Sequence, residues 1–323
     1  MANQFLKVGV ITQTMISLLF RELKLWRTVW TDAVNPDEFV NALNDTVTLR
    51  VPARAVAHTR TLRSGGPITL DELNEYPVAV KLDTDVYSAK KVTDEEFTLD
   101  IVNFGKQVLL PQVRAVAEGV ENKLAAEIAG ASYADDLPID RSDPYLAAVA
   151  ARKYLNDRNV PSSQRTLLVG SGVEAAMLES SRFVKFTDSP GGPAAQDAFT
   201  EGTIGRIAGF TVVESNAVDE DEAYAYHKTA FVAAGRTPKV PLGATMGETV
   251  SLGTAEQQQA GASMAGLSAR WIADYDPINL LDRSIVNTWV GTAAVEDPTD
   301  PTDPNSGFTL ERAVKLHLEG IGS

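Results

Sequence analysis

The chain contains no cysteine in 323 residues. That absence excludes a disulfide framework, a thiolate nucleophile and a zinc–thiolate site together. Histidine is scarce too. His58, His227 and His317 stand in three different segments, with no paired spacing for a metal ion. No run of about 18 apolar residues occurs, so no membrane-spanning helix is expected. Val8–Phe20 is apolar in part, but it lacks a basic start and a small-residue cleavage site, and Arg21, Glu22 and Lys24 follow at once; no signal peptide is expected. Basic residues are outnumbered, 29 against 43 acidic, for a net charge of −14. A dedicated nucleic-acid binder needs a basic footprint, so that class is disfavoured. The same charge does not exclude a container for nucleic acid, and an acidic soluble protein kept apart by self-repulsion explains it more simply.

Apolar residues make up 44% of the chain, enough for a substantial core in one elaborate domain or two modest ones. The most informative stretch runs from Asp94 to Gly130. Phe97, Ile101, Phe104 and Val108, then Val113, Val116, Val120, Leu124 and Ile128, recur at helical spacing. Asp94, Glu95 and Glu96 suit the start of a helix, and Gly130 suits a left-handed C-cap. One helix of that extent would be roughly 50 Å long. Pro111 falls inside it and predicts a kink or break. Such a rod, carrying no chemistry, fits a flat subunit that spans a shell.

Residues 1–43 read as an arm with a helical pattern through Met15, Leu18, Leu19, Leu23 and Trp26, with Trp30 and Phe39 adding apolar bulk. From Asp45 the period changes to two: Val47, Leu49 and Val51, then Val78, Val80 and Leu82 continuing towards Val86. Between these runs lies Ser64-Gly65-Gly66-Pro67, a turn signal. The spacing predicts a two-stranded excursion over about residues 45–90. A lone ribbon is marginal in water, so it needs a surface of its own body or of a neighbour to lie on.

Beyond Gly130 the chain turns α/β. A helix opens at Asp143-Pro144, with Leu146, Val149, Ala150, Tyr154 and Leu155 on one face. Strands are expected at Arg165–Val169, Phe210–Glu214 and Ala230–Ala234, and a helix from Val173 to Leu178. Ser189–Pro193 and residues 235–266 read as loops with one short helix. Arg270–Tyr275 and Ser284–Gly291 read as strands joined at Asp276-Pro277. Glu296–Asn305, with Pro298, Pro301 and Pro304, reads as a solvated linker, and Phe308–Leu318 as a short amphipathic helix.

The candidate chemistry is thin. Gly170-Ser171-Gly172-Val173-Glu174-Ala175 follows a strand and opens a helix, in the shape of a dinucleotide-binding turn. It has no acidic residue ending a partner strand at the expected distance, and a tight strand-to-helix turn is much the better explanation, since this pattern arises freely by chance. Asp219–Glu222 does not match the ligand order of a calcium loop and reads as a solvated loop. No Gly-x-Ser-x-Gly elbow is present. The expected catalytic, cofactor-binding and metal residues are therefore none.

The order of these elements resembles the major capsid (coat) protein family of tailed bacteriophages, with the Hong Kong 97 fold. Asn44–Arg54 is similar to the opening strand of that family's extended loop. Phe97–Ala126, with Pro111, Gln112, Val113 and Ala117, resembles its spine helix. Glu201–Phe210, running into Val212, Glu214 and Asn216, resembles its axial-domain segment. Asp274–Pro277 with Asp282-Arg283-Ser284 resembles the closing hairpin of its peripheral domain. The matches span about residues 40–295 and come closest to the coat proteins of short-tailed phages. They depart from that branch in having no large inserted domain between Ala234 and Gly266 and no long coiled-coil scaffold segment. The tail, 296–323, has no counterpart.

The resemblance implies an α+β subunit: N-terminal arm 1–43, extended β-hairpin loop 44–92, spine helix of the peripheral domain 93–135, mixed α/β axial domain 136–266, peripheral-domain strands 267–295, and an acidic Pro-rich linker with a C-terminal helix, 296–323. It implies a non-enzymatic protein that self-assembles, as hexamers and pentamers, into an icosahedral shell around double-stranded DNA in the host cytoplasm. Partners implied are copies of itself, a separate scaffolding protein, a portal and a decoration protein, with no cofactor and no membrane. Arg50, Arg54, Arg60, Arg63, Lys81 and Lys90 are the expected contacts to acidic groups on adjacent subunits. Two alternatives stay open, an encapsulin-like compartment with the same fold and a soluble nucleotide-dependent enzyme resting on the Gly170 turn.

Overall fold

The computed structural model describes residues 23–34, 39, 45–52, 55, 57–63, 67–70, 75–96, 104–180, 205–242, 244, 246–252, 267–299 and 307–319. A 3₁₀ turn, Leu25–Thr28, comes first. β1 (Thr46–Pro52) and β2 (Glu75–Lys81) follow, then β3 (Thr84–Thr93), a π-helical stretch Gly105–Leu109, and α1 (Leu110–Gly130). Next come β4 (Asp136–Ile139), α2 (Pro144–Asp157), β5 (Arg165–Val169) and α3 (Ser171–Glu179). β6 (Arg206–Ile207), β7 (Phe210–Glu214), β8 (Glu222–His227), β9 (Phe231–Arg236), β10 (Met246–Leu252), β11 (Leu267–Asp276) and β12 (Leu281–Ala294) lead to β13 (Asp297–Pro298), β14 (Phe308–Thr309) and β15 (Ala313–Leu318).

Two main sheets flank α1. The first has the order β10-β11-β12-β3, all antiparallel, with β9 also pairing to the far part of β12. The second is mixed, in the order β4-β15-β8-β5-β7-β6. Alternation sorts β8 between two cores. Ala223 and Ala225 face α2 and α3, whose Ala147, Ala148, Ala151, Leu155, Val173 and Ala176 are small enough to lie close to the sheet. Tyr224 and Tyr226 face the other way, into the core around α1. That core also takes Trp271, Val286 and Val290 from the first sheet and Leu23, Leu25, Trp26 and Val29 from the N-terminal segment. The arm's described apolar residues thus cover their own subunit. Met15, Leu18 and Leu19 lie outside the described residues.

The spine differs from the expected single rod. α1 has 21 residues, about 30 Å. Helical turns also occur at Asp94–Glu95, but Phe97 and Ile101 lie outside the described residues. Thr93 and Glu96 cap that start reciprocally: the Thr93 N–H donates to Glu96 Oε2 at 2.9 Å, and the Glu96 N–H to Thr93 Oγ1 at 3.3 Å. Pro111 occupies the first turn of α1 rather than its middle. The five residues before α1 are wound as a π-helix, and the Leu110 N–H bonds to Gly105 O, five residues back. The wider turn relieves the clash that a proline ring makes with the carbonyl four residues earlier. Gly130 is the last helical residue and not a left-handed cap; the chain leaves through Ala131 in extended conformation.

Other expectations need correction. The second ribbon strand stops at Lys81. β3, which includes Val86, belongs to the first sheet and pairs with β12, so the hairpin is shorter than the sequence pattern indicated. Leu146 and Val149 on α2 are exposed, and the alanines carry the burial instead. β8 and β10 were not anticipated: β8 sits behind an acidic run, and β10 lies in the Gly- and Thr-rich stretch read as loop. The expected C-terminal helix is strand β15, held between β4 and β8. Leu310, Val314 and Leu318 fit a helical period, but Val314, Leu316 and Leu318 also alternate, and the slot between two strands decides for the extended form. Ser189–Pro193, Pro301 and Pro304 lie outside the described residues.

One buried polar group fastens α1 to the first sheet. Gln112, fully buried, donates to Ser88 O at 3.0 Å and Ser284 O at 2.8 Å, and accepts from Ser284 Oγ at 2.8 Å. The Trp271 indole N–H donates to the same hydroxyl at 3.0 Å. Beside it, a Cβ on Gly119 would lie 2.5 Å from Val86 Cγ1, so glycine sets how closely the helix meets β3. Gln112→Ala would remove these three hydrogen bonds and open a void. The expected cost is about 2–4 kcal/mol, read as a lower urea midpoint with native circular dichroism retained before the transition.

Candidate functional site

The Gly170 turn is occupied by the protein's own backbone. Gly172 and Val173, at the start of α3, both donate their N–H to Glu220 O, at 3.0 and 3.1 Å, and the Gly170 N–H donates to Glu222 O at 2.9 Å. A Cβ on Gly170 would lie 2.0 Å from Asp219 O. The glycine is there to admit the loop before β8, and the amides that a pyrophosphate would need are already used. The acidic run read as a solvated loop is therefore the plug of this turn.

The histidines are not brought together. His227 is buried, with Nδ1 2.9 Å from Thr229 Oγ1, and burial together with Arg312 pushes its pKa down. His317 Nδ1 lies 2.8 Å from Asp136 Oδ1, and His58 is exposed on the hairpin loop. No group of three or more His, Asp or Glu side chains able to hold a metal ion occurs among the described residues.

What stands out is the hairpin. Its root is part of the body: Tyr76, Val78 and Val80 alternate inward on β2 and join Val34, Phe39, Val51, Val232, Ala293 and Val295. Tyr76 Oη donates to Asp297 Oδ1 at 2.5 Å, and Arg312 Nε donates to Asp297 Oδ2 at 2.7 Å. The Arg312 guanidinium also reaches Tyr76 Oη at 3.1 Å, so the C-terminal segment bolts the root down. The loop beyond is different. Leu62, Ile68 and Leu70 are exposed by 92%, 66% and 82%, values that leave most of each residue in water. Residues 52–70 hold three arginines, one histidine and no acid, in a chain of net charge −14.

The expected contact residues spread along this feature rather than meeting at one point. Arg50 faces outward on β1, Arg60 and Arg63 are exposed on the loop, and Lys81 is exposed at the end of β2. Lys90 is exposed on β3 and so belongs to the body. Arg54 lies outside the described residues. Sequence reasoning passed over the exposed loop leucines and a second protrusion, the β11–β12 turn. There Tyr275, Ile278 and Leu280 are exposed beside Asp94, Asp274, Asp276 and Asp282. Burial, then the charges of Asp94 and Asp274, push the Asp282 carboxyl up. The signal available in the sequence was the acid-free window itself.

The comparisons with known proteins agree on one class. A family described as phage capsid protein matches residues 79–252. The solved structure described as Mycobacterium phage Che8 superposes with a TM-score of 0.59 at 16% identity, covering 91% of this chain and 90% of that one. The capsid structure of Cyanophage P-SCSP1u gives a TM-score of 0.56 at 12% identity, covering 91% and 86%. A virus-like particle from Pyrococcus furiosus gives 0.50 at 8% identity, covering 96% and 98%. No curated protein matches in sequence. The plugged Gly170 turn carries its own expectation: calorimetric titration with a dinucleotide up to millimolar concentration gives no binding heat. Saturable micromolar binding, lost in Gly170→Val, would restore the enzyme reading.

Proposed function

The chain belongs to the phage capsid protein family, and from that premise we propose that copies of it tile a closed icosahedral shell around double-stranded DNA, each copy holding its neighbour through the hairpin loop. It is a structural protein of the virion capsid. The observation that carries the proposed contact is the loop of residues 52–70, cationic and acid-free, with three large apolar side chains in water. An exposed apolar cluster on a protrusion marks a protein interface. The β11–β12 turn, with Ile278 and Leu280 among four aspartates, offers the complementary chemistry on an adjacent copy. Arg50, Arg54, Arg60, Arg63, Lys81 and Lys90 are the cations proposed to meet acidic groups there.

Obligate interfaces bury about 2,000–5,000 Å². An extended loop and an arm reach such areas without enlarging the core. Each exposed ion pair contributes little, roughly 0–1 kcal/mol, so the shell depends on where the loop lies more than on any one pair. In this reading the arm is 1–43, the hairpin loop 44–92, the spine 93–135, the axial domain 136–266 and the peripheral strands 267–295, with the tail 296–323 returning as β15 to the axial sheet. A separate scaffolding protein, a portal and a decoration protein complete the particle, which assembles in the host cytoplasm. The encapsulin-like alternative shares the fold, and the archaeal virus-like particle keeps it in view. Nucleic acid inside purified particles separates the two.

Replacing residues 55–72 with a short Gly-Ser turn keeps β1, β2 and the root intact. The expected product is a folded, soluble subunit that forms no closed particles by electron microscopy; normal shells would refute the proposed contact. The double reversal Arg60→Glu with Arg63→Glu should slow assembly several-fold at low salt. The difference from the parent protein should shrink as salt rises, because exposed charges are screened within about 8 Å at physiological ionic strength.

A further inference from the structure

The segment that leads into the body from the arm is seated on a carboxylate without a cationic contact. Both carboxylate oxygens of Glu121, on α1, accept the Leu25 N–H, at 2.9 and 3.0 Å. Thr28 Oγ1 donates to Leu25 O and receives the hydroxyl of Tyr226 at 2.7 Å, and the Trp30 N–H donates to Phe231 O at 2.9 Å. Leu23, Leu25 and Trp26 fill the core beneath. No ion pair reaches Glu121 among the described residues. The groups that face it are Lys24 from the segment and Tyr226 from β8. Lys24 is drawn away to Glu214 on β7, at 3.6 Å, with Glu174 on α3 nearby, and its side chain is 63% exposed.

We propose that Glu121 makes this seat proton-dependent, so that the N-terminal segment is held more firmly in acid than in base. The sense follows from solvation. With the segment seated, burial pushes the Glu121 carboxyl up to about 7, against the pull of the Leu25, Trp26 and Lys24 amides and the Lys24 charge. With the segment lifted, water reaches the carboxyl and it returns to its ordinary value near 4.5. The seated form therefore holds the proton more tightly. The added stability is complete below about 4.5 and is lost as pH rises through about 7. Protonated, the group still accepts an amide N–H through its carbonyl oxygen.

The test is hydrogen exchange at the Leu25 and Trp26 amides of the full-length protein between pH 5 and 8, corrected for intrinsic rates, with circular dichroism confirming the fold at each pH. Protection is expected to fall roughly a hundredfold as pH rises. Glu121→Gln, which mimics the protonated side chain, should keep acid-like protection at pH 8 and lose most of the slope. Lys24→Gln should keep the slope. Flat or rising protection in the parent protein would overturn the proposal. So would an unchanged slope in Glu121→Gln, or a slope abolished by Lys24→Gln. None of these outcomes depends on shell assembly, so the proposal stands or fails apart from the capsid reading.

Discussion

The burial of α1 between two sheets is the constraint on which the rest of the molecule depends. Val113, Val116, Val120, Leu124 and Ile128 form a stripe that meets Trp271, Val286 and Val290 from one sheet and Tyr224 and Tyr226 from the other. Ala117 and Ala125 widen the stripe, and the N-terminal Leu23, Leu25 and Trp26 close it. One continuous apolar core thus joins the arm, the spine and both sheets. Removing that much apolar surface from water is the dominant favourable contribution to such a fold. Gln112 then fixes the helix in register, because its amide can satisfy the two serine carbonyls only from one position.

The same core explains why the hairpin can project. A two-stranded ribbon is unstable alone, so its root is buried with Val232, Ala293 and Val295 and tied by Asp297 and Arg312. The strand β15 that follows Arg312 is inserted in the second sheet. Only beyond Pro52 does the composition change, to a cationic loop with apolar side chains left in water. The root is thus buried in the subunit, while Leu62, Ile68 and Leu70 beyond it stay in water.

The region that most resembled a cofactor site shows how a local pattern misleads. Gly-x-Gly-x-x-Ala needs glycine for a close backbone approach, and in this fold the approaching backbone is the chain's own Asp219–Glu220. The helix N-terminus has its anion-like partner already, a peptide carbonyl rather than a phosphate. The pattern records the steric need and is silent about what satisfies it.

Periodicity was legible wherever one element faced one environment. The α1 stripe, the alternation of β1 and β2, the buried strand β5 and the β11–β12 pair could all be read from the chain, and so could the lack of cysteine and the order of elements that marks the family. Three things could not. Val314, Leu316 and Leu318 suit a strand or a helix, and only the vacancy between β4 and β8 makes them a strand. Val78 to Val86 reads as one alternating run, and only the pairing of β3 with β12 splits it between two sheets. The Leu25 amide and Glu121 are 96 residues apart, and only the folded core brings a carboxylate to it. Composition and period are properties of neighbouring residues and are carried by the sequence itself. Strand partners and buried charges depend on which distant surfaces meet, and tertiary packing alone decides that.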